Sequence, residues 1–357
     1  MPTYIDFCDK TLTRGPTHDS SSAPLSDSAK RGLNYVVKDR AISAAINAAL
    51  ILGRPLLLTG EPGTGKTTLS DFIAWFMGLG DPLFFSTKST SVARDLFYTY
   101  DAMSHMQASY LRSGPAEASS STTAPTTARF IRMSALGLGS MHPLALEELP
   151  PEVRSLHPGG DRRRKVVVID EVDKANRDFP NDLLHEIDSK EFLIPELSGT
   201  PVKAARDPAL RPIVIITSTS EKNLPDAFLR RCVFHHIAFP DDATLREIVV
   251  RQVAMKLNDQ TWTASTEAPF LQDCIAFFRQ LRGSFLMKQP ATAELVDWVH
   301  LMANFGAQPS NRLLEQSEPF QRSRGAIIKY MEDLKRVDEE WKVFVGKSPR
   351  STEAGAT

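Results

Sequence analysis

GEPGTGKTT, running from Gly60 to Thr68, is the stretch that decides how this chain is read. It fits G-x-x-x-x-G-K-[ST] at every position, a spacing whose glycines let main-chain N–H groups turn inward around phosphate oxygens. Gly60, Glu61, Pro62, Gly63, Thr64 and Gly65 are expected to form the cradle and Thr68 to close it. Lys66 is expected to reach the β- and γ-phosphates, and Thr67 to set its hydroxyl on Mg2+. Such a motif carries weight only between a strand and a helix. Here RPLLLTG (54–60) reads as a short buried strand, and TTLSDFIAWFMG (67–78) as a helix stopped by Gly78. The bound nucleotide could drive work, act as a switch or serve as a structural plug, and the loop alone does not decide among them.

The second half of such a site lies about a hundred residues on. KVVVIDEVD (165–173) is a β-branched run, the pattern of a strand buried on both faces. Asp170 at its end is the expected water-mediated partner of Mg2+, and Glu171 can polarise a water for in-line attack on the γ-phosphate.

Around these two segments, strand and helix signals alternate. DRAISAAINAALILG (39–53) has the period of a helix with Gly53 as its stop, and DPLFFSTKST (81–90) reads as a strand entering a turn. VARDLFYTYDAMSHMQASYLR (92–112) reads as helical, PNDLLHEIDSKEF (180–192) as a helix, and RPIVIITST (211–219) and VFHHIAF (233–239) as strands. This alternation predicts an α/β fold, a parallel sheet with flanking helices, over residues 33–240. The Ser/Thr/Ala/Pro-rich segment 113–128 is expected to be a surface loop, and the polar, Pro-broken residues 1–32 a flexible arm. Beyond Pro240 strand signals stop, which places a small all-helical domain at 241–306, then a further helix and a disordered tail at 307–357.

The chain has 357 residues, 42% hydrophobic and 24% charged, with 42 basic against 43 acidic side chains. That balance gives no global pull toward nucleic acid or an anionic membrane. No apolar stretch approaches the roughly 20 residues that a span needs, and no basic segment followed by an apolar run opens the sequence. Cys8, Cys232 and Cys274 are widely spaced and odd in number, as expected of thiols in a reducing compartment, and the expected location is cytoplasmic. His185, His235 and His236 invite a metal reading, but neighbours in a strand point to opposite faces and do not share one ion easily.

The order of GEPGTGKT, VVVIDEVDK, RPIVIITSTSEKNLPDAFLRRC and KQPATAELVDWVHLM resembles an AAA+ ATPase, in particular the MoxR-like branch, over about residues 33–303. The resemblance implies a P-loop α/β domain with a helical lid, ATP and Mg2+ as ligands, and a homo-oligomeric ring, usually hexameric, with ATP shared between subunits. It places the first sensor at Thr219, where the branch often has Asn, and an arginine finger at Arg230 or Arg231, with Arg177 as a further candidate facing the neighbouring nucleotide. The lid departs from the pattern. Thr292 and Glu294 stand where a sensing arginine is usual, and Lys288 is the nearby cation. The branch also carries a hairpin matching EFLIPELSGTPVKAARDPALRP (191–212). The function implied is ATP-driven remodelling, maturation or activation of a partner protein, commonly with a von Willebrand factor A partner. Two alternatives stay open: a nucleotide-gated switch in a defence or signalling complex, which weak sensors would suit, and a nucleic-acid motor. The latter needs a basic face, and only DRRRK (161–165) offers one.

Overall fold

The apolar runs pair as their composition predicts. The computed structural model describes residues 4–13, 24–112, 127–197, 199–220, 224–259 and 268–347. Among these the strands are β1 (Leu56–Thr59), β2 (Leu83–Ser86), β3 (Tyr98–Tyr100), β4 (Ile131–Met133), β5 (Val166–Asp170), β6 (Glu191–Phe192), β7 (Val202–Lys203), β8 (Ile213–Thr217) and β9 (Val233–His236). Five of them form one parallel sheet in the order β2-β5-β8-β1-β9. β1 and β8 are buried along their whole length and β5 up to its last residue, which is why all three read as unbroken Leu, Ile and Val. The edge strands β2 and β9 alternate between half-buried and exposed residues. Register pairs Ile169 with Ile216 and Leu58 with Thr217. The carboxyl ends of β1, β5 and β8 therefore finish side by side, and Asp170 and Thr217 meet at that edge.

Two compact units divide the chain. The first takes in Met1–Leu33, Asp39–Gly60 and Lys66–Ile237, and the second Asn34–Lys38, Glu61–Gly65 and Ala238–Thr357. The first carries α1 (Asp27–Leu33), α2 (Arg40–Leu52), α3 (Lys66–Phe76), α4 (Ala102–Arg112), α5 (Ala135–Met141), α6 (Phe179–Ser189) and α7 (Asp226–Leu229). α2 starts and stops as its sequence foretells: the Asp39 carboxylate accepts the Ala41 N–H at 2.8 Å, and Gly53 closes it in a left-handed conformation.

Residues 1–32 are not a free arm where the structure describes them. Phe7 is fully buried against Phe72 and Phe76, and the Ile5 main chain exchanges hydrogen bonds with Asn47 at 2.9 and 2.7 Å. α1 lies so close on α3 that a Cβ at Gly32 would stand 2.6 Å from the Asp71 carbonyl oxygen, and Arg31 pairs with the buried Asp71 at 2.6 Å. One phenylalanine and one glycine carry this packing, and the surrounding Ser, Pro and Asp hide it. The helix expected over 92–112 also breaks. Tyr98–Tyr100 pairs antiparallel with β4, and the buried Tyr98 hydroxyl donates to Glu196 at 2.8 Å, with burial pushing its pKa up to about 12. The hairpin expected before β8 is present as β6 and β7. Of the low-complexity segment, 113–126 falls outside the described residues, as does 348–357 of the tail.

The second unit holds α8 (Asp242–Leu257), α9 (Pro269–Gly283), α10 (Thr292–Asn304), α11 (Ser317–Ser323) and α12 (Met331–Lys347). Its packing does not change at 306, where a boundary was expected. Phe277, Trp298, Phe320 and Trp341 share one aromatic core, Phe320 and Trp341 stacking at 3.8 Å between centroids. The near-buried Asp273 ties Arg312 to α9 through two bonds of 2.6 and 2.8 Å. No helix among the described residues is long and apolar enough to cross a membrane.

Candidate nucleotide site

The loop after β1 has the backbone its glycines foretell. Gly63 and Gly65 have φ of 75° and 90°, a region other residues rarely occupy. Space enforces the same choice: a Cβ on Gly63 would lie 3.0 Å from the Ala291 Cβ, and one on Gly65 would lie 3.2 Å from the Tyr35 ring. The Thr64 hydroxyl donates to the Glu61 carbonyl at 2.8 Å, bracing the turn from within, while Pro62 is exposed. The Glu61 carboxylate accepts from Arg282 at 2.9 Å. Arg282 is held for this contact by a 2.6 Å bond to the Pro290 carbonyl and by the Phe239 ring, 3.8 Å from its guanidinium. Sequence reasoning looked to Lys288 for a cation here. Lys288 is exposed, and Arg282 touches the loop through Glu61.

α3 opens on Lys66 and carries Thr67 and Thr68 in its first turn. Lys66 is 8% exposed, and its ammonium donates to the Gly60 carbonyl at 2.7 Å. Burial holds its pKa below the ordinary value, against the opposing pull of Asp170, Asp173 and Glu171. The three carboxylates would repel an anion of several charges, so one fits beside Lys66 only together with a cation that offsets them.

The end of β5 meets α3 and β8. Thr67 Oγ1 donates to Asp170 Oδ1 at 3.1 Å, and Thr217 Oγ1 donates to the same oxygen at 2.6 Å. The Thr217 hydroxyl in turn accepts the Glu171 N–H at 2.9 Å. One fully buried hydroxyl thus fixes both carboxylate-bearing residues, and sequence reasoning missed it. The signal was a Thr in the last position of an otherwise aliphatic strand. Glu171 sits at φ 56° and ψ 53°, a costly region for a non-glycine residue, and its carboxylate is ion-paired with Lys174. That bond raises the Lys174 pKa. Thr219, the expected first sensor, directs its hydroxyl and N–H to the Asp173 carboxylate.

Lys66, Thr67, Asp170, Glu171, Thr217 and Thr219 therefore stand at one edge of the sheet, and the candidate fingers do not. Arg230 and Arg231 precede β9, whose first residue, Val233, pairs with Leu56 at the start of β1. The phosphate loop follows the far end of β1, about 13 Å of strand away. Both arginines are exposed, with Arg231 3.9 Å from Asp188, and Arg177 is exposed as well.

The basic run 161–165 has a local role. Arg162, Arg163, Arg164 and Lys165 each donate to main-chain carbonyls, of Pro143, Gly78, Arg211 and Leu79. His236 lies 3.0 Å from the Thr59 hydroxyl, burial lowers the His235 pKa, and the side chain of His185 lies outside the described residues. Among the described residues no group of three His, Cys, Asp or Glu side chains could hold a metal ion. The cysteines are free, with burial pushing Cys232 up to about 12.

Residues 55–232 match the family model of the AAA domain, dynein-related subfamily. Over those residues, just under half of its length, the chain is similar to that domain. Among solved structures it is similar to NtrX from Brucella abortus in complex with ADP, at 13% identity and TM-score 0.45, covering 88% of this chain and 62% of that one. It is also similar to a RuvB mutant from Thermotoga maritima (15% identity, TM-score 0.40, 79% of this chain and 67% of that one). A third is PCH-2 from C. elegans (16% identity, TM-score 0.42, 87% of this chain and 75% of that one). The chain spans less than two thirds of the length of the NtrX structure. No curated protein matches it.

Proposed function

We propose that the protein is a Mg2+-dependent ATPase that works as a homo-oligomeric ring, six-membered as in the MoxR-like branch, to remodel, mature or activate a partner protein. The observation that carries the ATPase reading is the meeting of Thr67 and Asp170 at 3.1 Å beside the desolvated Lys66. Hydroxyl and carboxylate oxygens are the hard donors that Mg2+ prefers, so the residues present fit the ion, Thr67 directly and Asp170 through water. Bound there, Mg2+ would neutralise charge on the β- and γ-phosphates. The chain's own groups do the rest. Lys66 binds phosphate oxygens, Thr217 orients Asp170 and Glu171, and Glu171, released from Lys174, takes the proton of the attacking water. Ring assembly is favoured by Arg230 and Arg231, exposed at the edge remote from their own phosphate loop, where a neighbouring subunit can receive them.

A nucleotide-gated switch is the second reading. The Glu171–Lys174 and Thr219–Asp173 contacts favour it, because both occupy groups that turnover would need. The client, or a von Willebrand factor A partner, is proposed on resemblance alone. Phosphate release measured with and without duplex DNA tests the set. Steady turnover indifferent to DNA supports the protein-remodelling ATPase, DNA-stimulated turnover supports a nucleic-acid motor, and ATP binding without turnover supports the switch.

A further inference from the structure

A cavity of about 350 Å3 opens in the first unit at the amino ends of β1, β5 and β8, the edge opposite Asp170. Its walls include Phe97, Leu136, Phe192 and Val214, all buried, and into it faces Arg164, the residue two before β5. The Arg164 Nε donates to the Arg211 carbonyl at 3.1 Å, and among the described residues no carboxylate lies within ion-pair distance of its guanidinium. Burial lowers its pKa from the ordinary value of 12.5, and Asp207 is the one carboxylate acting against that. Arg164 is half-buried, and a guanidinium partly withdrawn from water without a counter-charge gains from an anionic partner. Apolar walls beside such a group make a pocket of the size and composition that small molecules occupy.

We propose that this cavity is a binding site for a small amphiphilic monoanion, an apolar body bearing one carboxylate, with Arg164 as the group that pairs with the charge. A planar guanidinium whose Nε is already engaged still presents terminal N–H donors to both oxygens of a carboxylate. The lining argues for a single charge: Glu186, Asp188 and Glu191 stand against Arg54, Arg164, Lys190 and Arg211, an excess of one positive charge. Occupancy of this cavity requires no turnover at the nucleotide site, so the two sites are independent.

The test is calorimetric titration of the whole chain with octanoate and, separately, with 1-octanol, which has the same apolar body and no charge. Octanoate should bind saturably at one site. 1-Octanol, or octanoate added to Arg164→Met, should bind about tenfold to a hundredfold more weakly, the range for losing a hydrogen-bonded charge partner. Ala204→Phe, which fills the cavity from its wall and leaves Arg164 in place, should abolish binding and keeps the test valid if Arg164→Met does not fold. Absence of saturable binding in the millimolar range, equal affinity for the alcohol, or full affinity in the filled variant would each overturn the proposal.

Discussion

Thr217→Val changes one buried hydroxyl to a methyl of nearly the same shape and asks how much of the site it holds. Two bonds are lost: the 2.6 Å donation to Asp170 Oδ1 and the acceptance of the Glu171 N–H at 2.9 Å. A hydrogen bond to a charged group contributes about 1.5–3 kcal/mol, and a buried N–H left alone costs about 1–3 kcal/mol. Asp170 keeps its 3.1 Å bond from Thr67, which softens the first loss, so about 3 kcal/mol is expected in all. For a unit of this size that lowers the melting temperature by about 6–12 °C. The effect on rate comes through Glu171. Its left-handed backbone costs on the order of 1–3 kcal/mol, offset in part by the Thr217 bond, and without that bond the residue relaxes. Turnover should fall about tenfold through kcat, with KM for ATP little changed, because Thr217 orients the acidic residues and does not bind phosphate. Thr217→Ser keeps both bonds and should restore the rate while losing about 1 kcal/mol for the missing methyl. Thermal melts and phosphate release on the two variants decide it. A valine variant with the wild-type melting point and kcat would refute the positioning role of Thr217.

Three further outcomes follow from the same geometry. Because burial lowers the Lys66 pKa and phosphate would raise it again, nucleotide binding should take up a proton in the alkaline range. Affinity should therefore fall as pH rises from the lowered pKa toward 10.5, and titration in buffers of differing ionisation heat should show that uptake in the wild type and none in Lys66→Met. Lys174→Met frees the Glu171 carboxylate from an exposed pair; such pairs are weak, so basal turnover should rise by no more than a few-fold, and a fall would mean that Lys174 assists the reaction. Arg231→Ala and Lys66→Ala, each nearly inactive alone, should regain turnover when mixed and allowed to exchange, since each supplies what the other lacks across a subunit boundary. No recovery, with exchange verified, rules out Arg231 as a finger acting between subunits and sends Arg230 to the same test.

What could be read from the sequence was whatever is local in it. A glycine-spaced loop between a strand and a helix, and an Asp-Glu pair closing a β-branched strand, announce themselves within ten residues. The contacts that finish the site are not local. Thr217 meets Asp170 because β5 and β8 are neighbours in the sheet, and strand order is not written in either strand. Arg282 meets Glu61 across 221 positions, and Lys288 looked the better candidate because it stands closer in sequence to Thr292 and Glu294, where a sensing arginine is usual. The packing of Phe7 and Gly32 was obscured by the polar residues around them, and Tyr98–Tyr100 took strand form because β4 offered it a partner. The helical unit outran its expected end because Trp341 stacks on Phe320, a pairing that periodicity cannot foretell.

On the proposed mechanism, ATP hydrolysis at this site depends on Glu171 as the group that activates water. Paired measurement of MgATP affinity and phosphate release for the wild type and Glu171→Gln decides the point. Affinity should be equal within a few-fold and turnover lower by about 10²-fold or more, the size expected for a positioned base. Wild-type turnover in Glu171→Gln would contradict that mechanism.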